Sequence, residues 1–193
     1  MADKEQKEQA KQDVMTEKML ETRSVLISGE IDKELAERVV RQLLLLDALG
    51  DDPVKIYIDS PGGDADAGFA VYDMIRYITP KVYTIGMGLV ASAAAIILLA
   101  APPERRFGLP NSNYLIHQPL SGIRGVATEI EIHARQLEKY RVKINQLISR
   151  ESGQSLEKVE QDTDRDCWLD AHEAVAYGLI TALAERKDHI PGL

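Results

Sequence analysis

Between Val82 and Pro103 the chain carries no charged residue. A helix can cross a bilayer with about 20 mostly apolar residues, so this run must either do that or lie buried in a core. Its internal order decides. Val82-Tyr83-Thr84-Ile85 is β-branched and aromatic, Gly86-Met87-Gly88 interrupts the run, and Ser92 to Ala100 is small and aliphatic. The pattern predicts a buried strand, a tight turn and a buried helix, not a membrane span.

A segment buried on all sides needs other elements around it, and the flanking sequence supplies them. Ser24 to Ser28 reads as a strand closed by Gly29, and Asp32 reads as the N-cap of a helix through Leu49, with Leu35, Val39, Val40, Leu43 and Leu44 at helical spacing. Val54-Lys-Ile-Tyr-Ile58 alternates as a strand does and runs through Asp59-Ser-Pro-Gly-Gly63 into a helix from Ala65 to Ile78. Arg105 to Leu109 and Asn113 to Ile116 predict two short strands. Ala127 to Glu151 predicts a long helix with Ile130, Ala134, Leu137, Ile144 and Ile148 on one face. A helix near Ala171 to Tyr177 and a strand from Leu179 to Leu183 close the pattern. Strands alternating with helices imply an α/β fold built from parallel units. The 193 residues suit one domain over residues 24–193, preceded by a charged segment over residues 1–23 that reads as a mobile tail or a loosely held helix.

Composition narrows the function. A hydrophobic share of 45% with 28% charged residues is ordinary for a globular chain, and a net charge of −8 is the wrong sign for a nucleic-acid scaffold. The single cysteine, Cys167, excludes an internal disulfide framework, and no secretory signal opens the chain, so the cytoplasm is expected. His117, His133, His172 and His189 form no HExxH or Cys/His cluster, so no metal is expected.

Ser92 stands at a strand-to-helix junction between Ala91 and Ala93, where small neighbours let a substrate backbone approach and helix-start N–H groups favour developing negative charge. The same serine could simply cap the helix. His117 ends an apolar strand, as a base facing a cleft or as a satisfied half-buried residue. A third, acidic partner is left open by composition, since Asp162, Asp164, Asp166 and Asp170 cluster together. Pro61-Gly62-Gly63 lacks phosphate-loop spacing, yet exposed amides there can hold an oxyanion.

Taken together, Asp59-Ser-Pro-Gly-Gly63, Gly88-Leu-Val-Ala-Ser92, Leu109-Pro-Asn-Ser112, Ile116-His-Gln-Pro119, Ala127-Thr-Glu-Ile-Glu-Ile-His-Ala-Arg135, Gly153-Gln-Ser155, Asp162-Thr-Asp-Arg-Asp166 and Glu173-Ala-Val-Ala-Tyr-Gly-Leu179 resemble the ClpP family of Clp protease proteolytic subunits, over Val25 to Leu183. The resemblance implies a ClpP/crotonase-like α/β fold with a projecting strand-helix handle at residues 120–151, and a serine endopeptidase. Ser92 matches the nucleophile, His117 the base and Asp166 the acid that orients it. The backbone N–H groups of Gly63 and Ala93 match the oxyanion hole. Arg165 matches an inter-ring ion-pair residue, and its place beside Asp166 couples ring pairing to the catalytic residues. Two stacked heptameric rings are implied, together with a hexameric AAA+ ATPase that delivers unfolded polypeptides. Tyr57 and Tyr77 are the expected ATPase-docking contacts. No cofactor is implied, because ATP is used by the partner.

The sequence also departs from the family pattern. The segment before Val25 lacks the usual Pro- and aromatic-containing axial loop, and Lys55 replaces an outer-surface aromatic. Ala93 replaces a frequent methionine, and Asp64 follows the oxyanion glycine, where strand-like alternation would turn its carboxylate outward. Such divergence resembles specialised paralogues that work in mixed rings. The alternative to an active peptidase is a catalytically silent ring subunit used for assembly and ATPase docking. An acyl-CoA enzyme of the crotonase fold shares the oxyanion amides but does not need the serine and histidine pair.

Overall fold

The computed structural model describes residues 14–192. Its centre is a sheet in the order β1 (Ser24–Ser28), β2 (Val54–Ser60), β3 (Val82–Ala91), β4 (Arg106–Gly108), β7 (Ala182–Leu183), all parallel. β5 (Asn113–Ile116) pairs parallel with β3 and carries β6 (Cys167–Asp170) antiparallel on its other edge. Alternation in β2 sends Val54, Ile56 and Ile58 into the main core, where α2 (Lys33–Ala48), α3 (Ala65–Tyr77) and α4 (Ala93–Leu98) cover that face. Asp32 caps α2 as its position predicts, accepting a hydrogen bond from Leu35 N at 2.7 Å. On the opposite face a smaller cluster gathers Tyr83, Ile85 and Phe107 under Ala184 and Ile190.

The uncharged run is one strand where a turn at Gly86–Gly88 is predicted. β3 continues through the glycines and changes partner along its length, pairing with β4 at Thr84 to Gly86 and with β5 at Leu89 to Ala91. At the switch the register with β2 shifts between Ile58 and Ser60. Gly88 takes φ 55 there, and a Cβ on it would meet the Asp59 carboxylate at 2.5 Å. That carboxylate accepts from Leu89 N at 3.0 Å, holding the shifted strand to β2.

Three other sequence expectations are also corrected. β7 is shorter than the predicted Leu179 to Leu183 strand, because the amides of Leu179 and Ile180 are consumed by the Ala174 carbonyl at the end of α7 (Ala171–Tyr177). The predicted helix to Ala100 ends at Leu98. Residues 117–126 contain no strand, so the handle consists of helix α5 (Ala127–Ser152) and an irregular approach to it. Two elements went unread, β6 and α6 (Leu156–Asp162), which bury few residues and so leave no apolar run in the sequence.

At about 1.5 Å per residue α5 is about 39 Å long, yet only Ile144, Asn145, Leu147 and Ile148 are buried, all in its C-terminal half. The other half projects with Ile130 and Ile132 exposed. Before β1, residues 14–21 are helical (α1), with Leu20 packed against the main core. Arg23 then donates to the carbonyls of Asp52, Leu46 and Gly50 at 2.8, 3.0 and 2.8 Å. The rest of the charged segment read as a mobile tail lies outside the described residues.

The helix is anchored by a buried ion pair. Arg106 on β4 is fully buried and donates to Glu151 Oε2 at 2.5 Å, to the Glu151 carbonyl at 2.6 Å and to the carbonyls of Ala101 and Leu99. Burial alone would raise the Glu151 carboxyl, but the Arg150 and Arg106 guanidiniums outweigh it and hold the group below the usual carboxylate range. Removing one partner strands the other charge in the core, so Glu151→Ala should cost about 3–5 kcal/mol, read as a lower denaturant midpoint. The folded-state value is the depressed one. The advantage of the native chain over Glu151→Ala is therefore complete above the ordinary value of 4.5 and shrinks as pH falls below it.

Candidate active site

Ser92 occupies a backbone conformation that side chains avoid, φ 56 and ψ −119. Such a residue costs about 1–3 kcal/mol and persists only where its surroundings over-determine it. Here Ser92 N donates to the Leu115 carbonyl on β5 at 2.9 Å, and the Ser92 carbonyl accepts from Ala95 N at 3.0 Å. The loop after β2 closes the turn from the other side. At Gly62, with φ 92, a Cβ would lie 2.6 Å from the Ala91 carbonyl oxygen and 2.7 Å from Ser92 Cβ. Ser92 is the N-cap of α4 by position, but its side chain makes no capping hydrogen bond. It lines a cavity of about 450 Å³.

Gly63 and Ala93 line the same cavity. Gly63 forms a parallel bridge with Ile31 whose hydrogen bonds run from Ile31 N to the Gly62 carbonyl and from Asp64 N to the Ile31 carbonyl, at 2.8 and 2.7 Å. A parallel bridge uses the groups flanking its central residue, so the N–H of Gly63 stays out of the ladder. Ala93 begins α4, where first-turn N–H groups have no intrahelical acceptor. The two amides are therefore free to serve an oxyanion beside Ser92.

The sheet brings one acid beside His117. β5 and β6 run antiparallel with Ile116 opposite Cys167, which sets the next pair, His117 and Asp166, across from each other. His117 Nδ1 lies 3.3 Å from Asp166 Oδ1, with the imidazole 15% and the carboxylate 61% exposed. Two of the neighbouring acids are occupied elsewhere, and the third, Asp164, is exposed and 3.9 Å from Arg165. Asp162 accepts from Lys158 and from the Tyr177 hydroxyl, and Asp170 caps α7. Ser92 and His117 line the same cavity, and Asp166 lies against the imidazole Nδ1.

Part of the cavity wall is apolar, formed by Ile96 from α4 and by Leu137, Ile144 and Ile148 from α5. Their spacing on one helical face is visible in the sequence; that this face closes the cleft is not. Tyr140 went unread as well. Its hydroxyl donates to the Asp66 carboxylate at the cavity rim, a bond that with burial and the charges of Asp66 and Asp64 pushes its own ionisation up. The strand-like alternation expected at Asp64 is corrected: this residue is the N-cap of α3, accepting from Ala67 N at 2.9 Å, and it lines the cavity rim. Arg165 is 90% exposed, 3.9 Å from Asp164. Tyr57 packs half-buried against the second cluster, and Tyr77 stands exposed at the end of α3.

Because the Ser92 turn is pressed against Gly62, Gly62→Ala should displace it. Labelling of Ser92 by a fluorophosphonate should slow by about 10²-fold, since small misplacements cost that much, while far-ultraviolet circular dichroism stays unchanged.

The family described as Clp protease matches residues 5–187. The chain is 66% identical to ATP-dependent Clp protease proteolytic subunit 2 of Treponema denticola, over 93% of this chain and 90% of that protein. It is 46% identical to proteolytic subunit 3 of Rhizobium etli, over 89% of each. Its structure matches a ClpP1 mutant from Listeria monocytogenes with a TM-score of 0.86 and 47% identity, covering 91% of this chain and 99% of that one. With the cleft, the sheet and these relatives in agreement, the chain belongs to the Clp protease family.

Proposed function

We propose that the chain is a serine endopeptidase subunit of a self-compartmentalising, ATP-dependent protease. The observation that carries this reading is the β5–β6 register, which sets Asp166 3.3 Å from His117, itself a lining residue of the Ser92 cavity. In this mechanism His117 takes the Ser92 proton as Oγ attacks the peptide carbonyl, and Asp166 holds the imidazole and stabilises its charged form. The oxyanion is received by the N–H groups of Gly63 and Ala93. Collapse expels the amine, protonated by His117, and leaves an acyl-enzyme that water hydrolyses by the same route in reverse. The apolar wall of Ile96, Leu137 and Ile144 suits an unfolded chain, whose apolar side chains are available.

The reading extends to an assembly of heptameric rings stacked as a tetradecamer, joined through the exposed half of α5 and Arg165 and open to mixing with a paralogue. A hexameric AAA+ unfoldase docks on the outer face near Tyr57 and Tyr77 and consumes the ATP, so this subunit needs no cofactor. The cytoplasm is the proposed location. Among the described residues no helix is long and apolar enough to cross a membrane.

A second reading, a silent or partner-dependent ring subunit, draws on one observation: Asp166 is 61% exposed and rests on a surface loop. Fluorophosphonate labelling with native mass spectrometry separates the two. A single adduct in assembled rings, absent from Ser92→Ala, is expected. Rings without an adduct, even with a paralogue and the ATPase added, would sink the enzyme reading. For Arg165→Ala, single rings with little peptidase activity are expected; fully active single rings would uncouple ring pairing from the site.

A further inference from the structure

A buried polar pair lies behind the loop that carries Asp166. Asn145, on the core side of α5, and Thr163, at the C-cap of α6, are each 1% exposed. Thr163 Oγ1 lies 2.9 Å from Asn145 Oδ1 and 2.7 Å from the Val159 carbonyl oxygen, within donating distance of both. Buried polar side chains are costly unless paired, and an aliphatic pair would fill the same space without that demand. From Thr163 the chain is held a second time. Gln118, the residue after His117, donates its backbone N–H to the Thr163 carbonyl and its side-chain amide to the Asp164 carbonyl, both at 2.7 Å.

The arrangement brackets the acid. Asp166 is two residues beyond Asp164, and its side chain is too exposed for packing to fix it. Its backbone is held after it by the Cys167–Ile116 pairing and before it by the segment Thr163–Asp164, which is clamped to α5 on one side and to the residue adjoining His117 on the other. We propose that Asn145, Thr163 and Gln118 are positioning residues that hold Asp166 against His117, so that the handle helix and the acid of the site move as one unit. None of the three touches the reacting atoms. The inference rests on the serine peptidase reading and deepens it, because it names what aligns the acid.

Thr163→Val removes the hydroxyl at constant shape and Thr163→Ser restores it. In assembled rings, verified by native mass, Thr163→Val should lower kcat on a short acylated fluorogenic peptide by about 10–100-fold with KM within about twofold, and Thr163→Ser should recover most of it. In an Asp166→Ala background Thr163→Val should have almost no further effect, because both changes remove the same contact. An unchanged kcat, or a loss that multiplies onto Asp166→Ala, overturns the proposal. Gln118→Ala, which deletes only the half-exposed side-chain amide, should give a smaller loss of the same kind and decides the matter if Thr163→Val does not assemble. An electron cryo-microscopy map of Thr163→Val rings reads the contact without turnover: separation of His117 and Asp166 beyond about 4 Å supports the proposal, and an unmoved contact overturns it. Wild-type rings that hold the contact yet never react would instead count against the peptidase reading alone.

Discussion

A left-handed backbone under a residue that carries a side chain is held only by what closes around it, and Ser92 is closed in on both sides. β5 takes its amide, α4 takes its carbonyl, and the loop after β2 packs so close at Gly62 that no Cβ fits between them. Each contact comes from an element that also does something else for the site. β5 continues into His117, and the loop after Gly62 brings the Gly63 amide to the cavity. The strained serine is therefore the point at which sheet, helix and loop agree, and shifting any one of them moves the others.

The uncharged centre of the chain makes that agreement possible. β3 is buried along most of its length, so its backbone groups must be paired throughout, and the sheet pairs them by changing neighbours from β4 to β5 part-way along. The change of partner brings β5 beside the end of β3, next to Ser92. A tight turn at the glycines would have ended the pairing early and left His117 on a different edge. Asp59 stabilises the departure by accepting from Leu89 N.

Helix α5 divides along its length between stability and function. Its C-terminal half is pinned by Arg106 and Glu151 and by apolar packing, while Leu137 and Tyr140 further out close the cleft. The Asn145–Thr163 pair lies between the two regions.

How much of this was legible follows from which interactions are local. The apolar periodicity of α2 and α3, the cap at Asp32, the alternation of β2 and the burial of the central run are all written in neighbouring residues, and the sequence alone determined them. Ser92 and His117 were visible as candidates because small residues around a serine and a histidine at a strand end are local patterns. The choice of Asp166 among four nearby aspartates was made by resemblance; from the residues themselves it was open, because β6 buries too little to leave a hydrophobic signal. Only the tertiary structure brings one of them to the histidine, through the antiparallel register that sets residue 166 opposite residue 117. The same holds for the Gly62 contact, the partner change of β3 and the Arg106–Glu151 pair. Each joins residues distant in the chain, and a long-range contact leaves no mark on the sequence near either of its ends.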